Sequence, residues 1–404
     1  MSTSLLYHAF GLRGYDYVHT KYEEGAVHFR VVPKPALLVC PLCRNWRIKR
    51  RGGFERKLRL PPIGFKAAYV LIKVPRIECL ACGVVRLIEL GIAEARRTYT
   101  KAFERLVVEF SRMMTLKDVA QHLRVGWDCV KDIVKRNLHR RFSKPKLSHL
   151  RYLAIDEISI AKGHKYLTVV MDLGSGQVVF VGDGKGAEAL KPFWERLKRS
   201  RAKISAISTD MSPAYVASVM ENWPSASLVF DHFHVVKLMN EQLSDLRRKL
   251  YHDLTACREK KVLKGSRWLL LKSPENLDEQ RNEKQRLQEA LALNTPLATA
   301  YYLKEDLRQI WTQPGKAGAA LVLDGWIKTA SSSGIGTLIK IGRTLAKYRF
   351  GILNWYDHPI SSGPLEGANN KIKTLKRQAY GFRDLAFFKL RILAIHQAKY
   401  ALTG

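Results

Sequence analysis

The chain has 404 residues, 46% of them apolar, so it is long and apolar enough for two or three folded domains rather than a disordered segment. Its 69 Lys and Arg against 36 Asp and Glu give a formal charge of +33, which favours binding to a polyanion such as nucleic acid. No apolar run approaches the roughly 18 residues that cross a membrane, and the N-terminal residues lack a signal-peptide pattern. We expect a cytoplasmic, nucleic-acid-binding protein without a membrane partner.

Four of the six cysteines form two Cys-x-x-Cys pairs, Cys40 with Cys43 and Cys79 with Cys82. In a reducing compartment such pairs bind zinc far more often than they form disulfides. One Zn²⁺ held by four thiolates would supply folding energy that so small a unit lacks. Two unrelated pairs, serving redox chemistry or a core, are the alternative.

The segment between the two cysteine pairs is strand-like, basic and long enough for a hairpin. We therefore predict that residues 1–95 form a zinc-binding β unit that contacts DNA. The cations predicted to make these contacts are Arg47, Lys49, Arg50 and Arg51.

From Thr100 onward, apolar residues recur at helical spacing. Thr115 and Asp118 resemble a capping box that opens a short helix, and Gly126 marks a turn before a second helix. The pattern predicts a helix-turn-helix over residues 96–147, whose second helix would enter a major groove. A plain helical hairpin in a linker domain is the alternative. The second-helix cations predicted to contact DNA are Lys131, Lys135, Arg136, Arg140 and Arg141.

From Arg151 the period changes to that of strands. The predicted order is three strands, a helix, a strand, a helix and a strand that ends at Phe230. That is the order of the α/β RNase H-like fold, in which the first and fourth strands are neighbours. A helical, charged stretch over about 240–350 is predicted to be an insertion, which makes residues 148–404 an RNase H-like domain with a helical insertion.

Three carboxylates lie where such a core could hold metal ions. Asp156 lies in the first strand, Asp210 closes the fourth, and Glu366 lies in the first turn of a basic helix. An acid among strand residues is costly to bury unless a cation compensates its charge. We predict that the trio holds two Mg²⁺, or Mn²⁺ in their place, about 4 Å apart, as phosphoryl transfer requires.

Each carboxylate also has a structural alternative. Glu157, on the opposite face of the strand, competes with Asp156 for the metal role. Asp210 could be a turn residue, and Glu366 could be favoured only by the helix dipole. The helix face of Glu366 supports a metal role because it continues with two amides, Asn369 and Asn370, and two cations, Lys373 and Arg377. Lys373 and Arg377 are predicted to contact DNA.

Two further features could serve chemistry. Asp231 and His234 follow the last predicted strand and could orient a scissile phosphate or a metal-bound water, although a helix cap with incidental histidines explains them equally well. Trp268, in the predicted insertion, could stack on an unpaired base or belong to the core.

The chain resembles the DDE transposases of bacterial insertion sequences, specifically the ISL3 (ISL-three) family, over nearly its whole length. The resemblance lies in both cysteine pairs, the helix-turn-helix, and the segments 155–157, 208–211, 230–237, 265–272 and 362–370. It implies that Asp156, Asp210 and Glu366 are the catalytic triad, and that Asp231 and His234 form an Asp-x-x-His element.

The resemblance also implies a DNA transposase that binds the terminal inverted repeats of an insertion sequence and performs metal-dependent strand cleavage and strand transfer. Its partners would be double-stranded DNA, both repeats and target, and a second copy of the chain in a homodimer or larger assembly on DNA. We expect it at the bacterial nucleoid. A catalytically silent regulator with the same fold and a structure-specific nuclease are the alternatives.

Overall fold

The structure is a computed structural model that describes residues 5–161, 163, 165–254 and 257–396, without the side chains of residues 257 and 258. The chain divides into two compact units, an N-terminal unit of Met1–Ser143 with Leu375–Gly404 and a central unit of Lys144–Thr374. None of the helices described is long and apolar enough to cross a membrane. The three predicted domain boundaries stay a prediction.

The N-terminal unit contains a five-stranded sheet in the order β1-β2-β4-β3, with β5 paired to β4. The strands are β1 (Tyr15–Glu23), β2 (Ala26–Pro33), β3 (Ile48–Ile63), β4 (Lys66–Cys79) and β5 (Val85–Leu87). Strands β3 and β4 form the hairpin expected between the cysteine pairs, and they pair from Ile48↔Cys79 to Ile63↔Lys66. Alternate residues of β4, such as Val70 and Ile72, are fully buried because successive strand side chains point to opposite faces.

The helices described in this unit are α1 (Leu5–Phe10), α2 (Lys101–Phe110), α3 (Leu116–Leu123), α4 (Trp127–Phe142) and α16 (Leu385–Leu393). The Thr115 hydroxyl accepts a hydrogen bond from the Asp118 backbone N–H at 3.2 Å, so the predicted cap of α3 is confirmed. Helix α3 ends at Arg124, whose left-handed backbone (φ 52°) turns the chain toward α4. Helices α2, α3, α4 and α16 share a core that includes Phe103, Leu123 and Ile133, whereas α1 packs into the core of the sheet.

One buried arginine ties this helical core to the sheet. Arg59 of β3 is 6% exposed, and its guanidinium donates to the Leu123 carbonyl at 2.9 Å at the end of α3. The same guanidinium lies over the Phe103 ring. On the backbone, Thr100 N–H donates to the Arg59 carbonyl at 2.9 Å, just before α2. The sheet and the helix-turn-helix are therefore joined by both side-chain and backbone contacts.

The central unit contains a second five-stranded sheet, in the order β10-β9-β6-β7-β8. The strands are β6 (Tyr152–Ala161), β7 (Lys165–Asp172), β8 (Gln177–Asp183), β9 (Ala206–Thr209) and β10 (Ser227–Phe230). Strand β6 pairs parallel with β9 and antiparallel with β7, and β9 pairs parallel with β10. The prediction that the first and fourth of these strands are neighbours is confirmed.

Helices cover the sheet and form the predicted helical stretch. Helices α5 (Ala187–Arg199) and α6 (Pro213–Asn222) pack against the strands through Trp194 and Tyr215, which are almost fully buried. Between β10 and α15 (Gly363–Gln378), the described residues form helices and no strand. These are α7 (His232–Asp253), α8 (Cys257–Gly265), α9 (Arg267–Leu271), α10 (Glu283–Ala292), α11 (Thr295–Arg308), α12 (Lys316–Ser332), α13 (Gly336–Lys347) and α14 (Arg349–Leu353).

Candidate functional site

The four predicted cysteine ligands come together in the N-terminal unit. Their sulfur atoms lie within 4.8 Å of one another, with Cys40 Sγ 3.7 Å from Cys82 Sγ and Cys43 Sγ 3.5 Å from Cys79 Sγ. Four sulfurs about 2.3 Å from a tetrahedral zinc would lie about 3.8 Å apart. The cluster is therefore consistent with one zinc ion, and two unrelated pairs are excluded.

The two turns that carry these cysteines have matching backbone hydrogen bonds. Arg44 N–H donates to the Cys40 carbonyl at 3.0 Å, and Gly83 N–H donates to the Cys79 carbonyl at 2.9 Å. Both donors have left-handed φ, 61° at Arg44 and 71° at Gly83. A hydrogen bond from the Cys43 backbone lowers the pKa of Cys40 to about 6, and one from the Cys82 backbone lowers the pKa of Cys79, which favours the metal-binding thiolate at these two residues. The pKa of Cys43 and the pKa of Cys82 are raised instead, because their thiols share hydrogen bonds with the other sulfurs and are partly desolvated.

In the central unit, Asp156 and Asp210 lie just beyond the last paired residues of two neighbouring parallel strands, Asp156 in the middle of β6 and Asp210 directly after β9. The pairing Ala154↔Ser208 aligns β6 with β9, and each carboxylate lies two residues beyond this pair. Burial raises the pKa of Asp156, the Glu157 backbone N–H and the charge of His234 lower it, and the Asp210 charge adds to the rise. A like charge this close disfavours ionisation of Asp156.

Helix α15 brings a third group to this pair. The Asn369 side-chain N–H donates to Asp156 Oδ2 at 2.8 Å, and Asn369 is 4% exposed. Glu366 precedes Asn369 by three residues, so the two side chains lie on the same face of the helix. Glu366 itself is exposed. On the polar face predicted for this helix, Glu366 is therefore exposed, whereas Asn369 is buried and hydrogen-bonded to Asp156.

The three carboxylates do not form a tight group. Among the residues that the structure describes, the four cysteines are the one set of three or more His, Cys, Asp or Glu side chains whose ligand atoms all lie within 4.8 Å of each other. Such a limit does not exclude a site for two ions. If the ions lie about 4 Å apart and each lies about 2 Å from its ligand oxygens, the oxygens on opposite sides of the pair can be up to about 8 Å apart. The convergence of Asp156, Asp210 and Glu366 on shared ions stays a prediction.

Asp231 is the N-cap of α7 and is 1% exposed. Its Oδ1 accepts hydrogen bonds from the Phe233 backbone N–H and from His232 Nδ1, both at 3.0 Å. Its Oδ2 accepts from the Ser361 hydroxyl at 2.8 Å, the Ser362 hydroxyl at 2.8 Å and the Ser362 backbone N–H at 2.7 Å. Burial alone would raise the pKa of Asp231, but these hydrogen bonds outweigh it and lower the pKa below its ordinary value.

His234 is joined to the same network. Its Nε2 lies 3.1 Å from the Ser362 hydroxyl. Its imidazole is also close enough to Asp156 to act electrostatically on that carboxylate. Asp231 and His234 are therefore connected through Ser362, and neither serine is a residue that the sequence pattern singled out as functional.

Helix α4 holds most of its predicted DNA-binding cations in ion pairs within the unit. Lys131 and Lys135 both bind Asp384, at 3.1 and 2.9 Å. Arg136 binds Glu94 at 3.2 Å, and Arg140 binds Glu104 at 3.2 Å. The fifth cation, Arg141, lies over the Phe142 ring instead. A phosphate would have to compete with these carboxylates, so the DNA-contacting role of the four paired cations stays a prediction.

The predicted cations of the β unit are accessible. Arg47, Lys49, Arg50 and Arg51 are all exposed. Arg51 binds Glu78 at 2.6 Å and lines an open groove of about 650 Å³. The groove is also lined by Arg76 and Arg86, which the sequence pattern did not single out because they lie on β4 and β5, far from the Arg-rich run.

The predicted DNA contacts in and after the insertion are surface residues. Trp268 is 65% exposed, with the Arg267 guanidinium 4.8 Å from its ring centroid, so it does not belong to the core. Lys373 and Arg377 on α15 are exposed as well. All three can be reached by a nucleic acid.

Comparison with known proteins gives the family. A family model described as "Transposase" matches residues 153–392, more than half of the chain. A second, described as "Helix-turn-helix domain of transposase family ISL3", matches residues 88–136. The chain belongs to the ISL3 transposase family. The first match runs from β6 into α16, and the second spans α2, α3 and most of α4.

Two relatives of this ISL3 transposase match it almost end to end. It is 32% identical over 396 residues to the "Transposase for insertion sequence element IS1001" of Bordetella parapertussis, covering 95% of this chain and 96% of the relative. It is 30% identical over 404 residues to the "Transposase for insertion sequence element IS1557" of Mycobacterium tuberculosis, covering 93% and 90%. A solved "Drosophila P element transposase strand transfer complex" covers 67% of this chain and 82% of its own at a TM-score of 0.33 and 13% identity, too low a likeness to support a conclusion.

Family membership identifies a DNA transposase with a helix-turn-helix. These matches confirm the predicted family and the predicted function of a DNA transposase. Membership of this family implies DNA cleavage, strand transfer and a divalent metal.

Proposed function

We propose that this transposase cuts the ends of its insertion sequence with Asp156, Asp210 and Glu366 as ligands of two Mg²⁺ ions. The observation that carries this proposal is the position of Asp156. It lies level with Asp210 on a neighbouring parallel strand, and it accepts a hydrogen bond from Asn369, one turn after Glu366. Mn²⁺, which favours the same oxygen ligands, is the expected substitute.

An RNase H-like core explains this arrangement. Three antiparallel strands, a parallel fourth beside the first, and a parallel fifth are what that fold requires, and the sheet order β8-β7-β6-β9-β10 agrees with it. In that fold Asp156 of β6 and Asp210 after β9 are neighbours, and Asn369 of α15 contacts Asp156 there.

The chain's own residues have separable roles at this edge. Asp156, Asp210 and Glu366 would hold the two ions through their carboxylate oxygens. Asn369 holds one oxygen of Asp156, which fixes the orientation of the carboxylate. When bound, the two ions would supply an activated attacking oxygen and stabilise the leaving oxygen.

The N-terminal unit is the proposed reader of the terminal inverted repeats. The thiolate cluster holds one structural zinc, and the exposed cations Arg47, Lys49 and Arg50 supply phosphate contacts that position without specifying. Base contacts come from the start of α4, the second helix of the helix-turn-helix, where Trp127 is 46% exposed. Holding two DNA ends together requires at least two copies of the chain, so we expect a dimer or larger assembly on DNA.

Incubation with Mg²⁺ and a duplex bearing the element's own terminal repeat tests this proposal. We expect binding of the repeat and nicking at its end. Binding without nicking would favour a catalytically silent regulator, and cutting of branched DNA without preference for the end would favour a structure-specific nuclease.

A further inference from the structure

Asp231 cannot act as a free carboxylate. Both of its oxygens are occupied, two donors on Oδ1 and three on Oδ2, and the side chain is 1% exposed. A group with no accessible lone pair does not bind a metal ion or a phosphate-bound water without losing some of these hydrogen bonds. Its role therefore has to be sought in the groups that it holds.

The first of these groups is the start of α15. Asp231 Oδ2 accepts the Ser362 backbone N–H at 2.7 Å, and the Ser362 carbonyl in turn accepts Leu365 N–H at 2.9 Å and Glu366 N–H at 3.0 Å. The carboxylate thus holds the first turn of the helix that carries Glu366. Ser361 and Ser362 lie 130 and 131 residues from Asp231, so this contact fixes one end of α15 against the end of β10.

The second group is His234, and here the direction of each hydrogen bond can be deduced. An ionised carboxylate only accepts hydrogen bonds, so the Ser362 hydroxyl must donate its single proton to Asp231 Oδ2. The Ser362 oxygen can then only accept from His234 Nε2, which lies 3.1 Å away. Nε2 therefore carries a proton.

We propose that Asp231 is a positioning residue for the transposition reaction, with two separable effects. Through the Ser362 backbone it fixes the first turn of the helix that carries Glu366. Through the Ser362 hydroxyl it keeps a proton on His234 Nε2 and so fixes the orientation of the imidazole. This inference rests on the proposed function and assigns Asp231 a role that is not catalytic in itself.

The two serines provide a matched pair of variants. Ser362→Ala removes the hydroxyl between Asp231 and His234 but keeps the backbone hydrogen bond that starts α15. Ser361→Ala also removes one hydroxyl from Asp231 Oδ2, at the same 2.8 Å, but that hydroxyl does not touch His234. Asp231→Asn disturbs both effects.

The first measurement is nicking of the repeat duplex, with binding of the same duplex as control. We expect Ser362→Ala to lower the nicking rate about 10- to 100-fold at saturating Mg²⁺, as loss of a group that orients a reacting residue does. Ser361→Ala should lower the nicking rate less than Ser362→Ala, because it removes a hydrogen bond to Asp231 and the acceptor of Gly363 N–H but leaves the partner of His234 in place. Asp231→Asn should in addition raise the Mg²⁺ concentration for half-maximal nicking, because Glu366 is no longer held. Equal effects of the two serine variants, or no effect of either, overturn the proposal.

The second measurement does not depend on activity. In protein labelled with ¹⁵N-histidine, with His234→Gln used to assign the resonance, the neutral imidazole of His234 should show its proton on Nε2. Ser362→Ala should lose or redistribute that proton between the two nitrogens, whereas Ser361→Ala should not. If the neutral imidazole of the unaltered protein carries its proton on Nδ1, the hydrogen-bond chain from Asp231 through Ser362 to His234 is refuted, even if nicking is normal. If the protein never nicks but His234 shows its proton on Nε2, the proposed function is refuted, whereas the hydrogen-bond chain from Asp231 through Ser362 to His234 is supported.

Discussion

At the scale of single residues, the carboxylates of the central unit differ sharply in their surroundings. Asp156 receives two donors, the Asn369 side chain and the Glu157 backbone N–H, and its pKa is raised chiefly by burial. Asp231 receives five donors, and its pKa is lowered. An acid that lacks donors needs a cation to stay ionised, whereas an acid saturated with donors does not. This contrast separates the proposed metal ligand from the proposed positioning residue.

The role of Asp210 can be tested with an isosteric substitution. Asp210→Asn keeps the side-chain shape, and Asn can still accept the hydrogen bond that Ser212 N–H makes to Oδ1 at 3.1 Å. We expect binding of the repeat duplex to be unchanged and nicking to fall by more than the roughly 10- to 100-fold that loss of a group orienting a metal ligand costs. Filter binding and a nicking assay on the same duplex measure both. Loss of binding together with nicking would mean that Asp210 supports the fold instead.

The lowered pKa of Asp231 predicts how stability depends on pH. A carboxyl whose folded pKa lies below its unfolded value of 3.8 stabilises the fold fully above that value, and the contribution is lost as pH falls through the folded pKa. We therefore expect Asp231→Asn to lower Tm most at pH 6–7 and progressively less as the pH falls from about 5 to 3. Thermal melts of both proteins across this range provide the measurement. A Tm difference that does not narrow would show that Asp231 is protonated in the folded protein.

At the scale of elements, the thiolate cluster closes one end of the β3–β4 hairpin. Cys79 is the last residue of β4, and Leu80 N–H donates to the Arg47 carbonyl at 2.9 Å, next to the start of β3. The N-terminal unit should therefore depend on its metal. We expect about one zinc per chain by elemental analysis, and chelation should lower Tm and abolish repeat binding, because metal binding and folding are coupled. Zinc near zero in protein that still binds the repeat would refute the site.

Strand β8 packs against α5 through a glycine. A Cβ on Gly182 would lie 2.3 Å from the Ala189 carbonyl oxygen, so Gly182→Ala must push strand and helix apart. We expect a loss of about 1–3 kcal/mol in the free energy of unfolding, as for other overpacked sites. Gly325→Ala in α12 is the control, since nothing lies within 4 Å of its added Cβ, and it should gain about 0.5–1 kcal/mol. Urea unfolding of both variants tests the contrast, which would fail if they changed stability alike.

The elements could largely be predicted from the sequence because each has a local cause. Helix α3 follows from its Thr115 cap, and β6 follows from an apolar run bounded by polar residues. The proximity of Asp156 and Asp210 followed from strand order alone. The contacts of Asp231 with Ser361, by contrast, join residues 130 positions apart and depend on how α15 packs. No local period encodes such a pairing, and the same holds for the ion pairs of α4.

At the scale of the whole molecule, the formal charge of +33 predicts DNA affinity that falls steeply with salt. Arg76 and Arg86 offer a local test, because both are exposed and line the groove beside Arg51. We expect Arg76→Gln with Arg86→Gln to reduce the slope of log affinity against log salt by about 1 for each phosphate that the protein no longer neutralises.

The control for that experiment removes the same charge elsewhere. Lys328 and Lys340 are exposed on α12 and α13, so replacing both with Gln lowers the net charge equally. Titrations of the repeat duplex at several salt concentrations should show a smaller slope for the arginine pair only. If both double variants have the same slope of log affinity against log salt, the salt dependence comes from the overall charge of the protein and not from the groove.

The tie made by Arg59 constrains the DNA that the N-terminal unit can read. Because its guanidinium and its carbonyl hold the end of α3 and the start of α2 against β3, the distance between the β unit and α4, the two surfaces proposed to contact DNA, is built into the protein rather than set by a linker. One extra base pair rotates everything beyond it by about 35° around the duplex axis. We therefore expect that inserting one base pair into the terminal repeat, between the site for the β unit and the site for α4, lets only one of these two surfaces bind at a time.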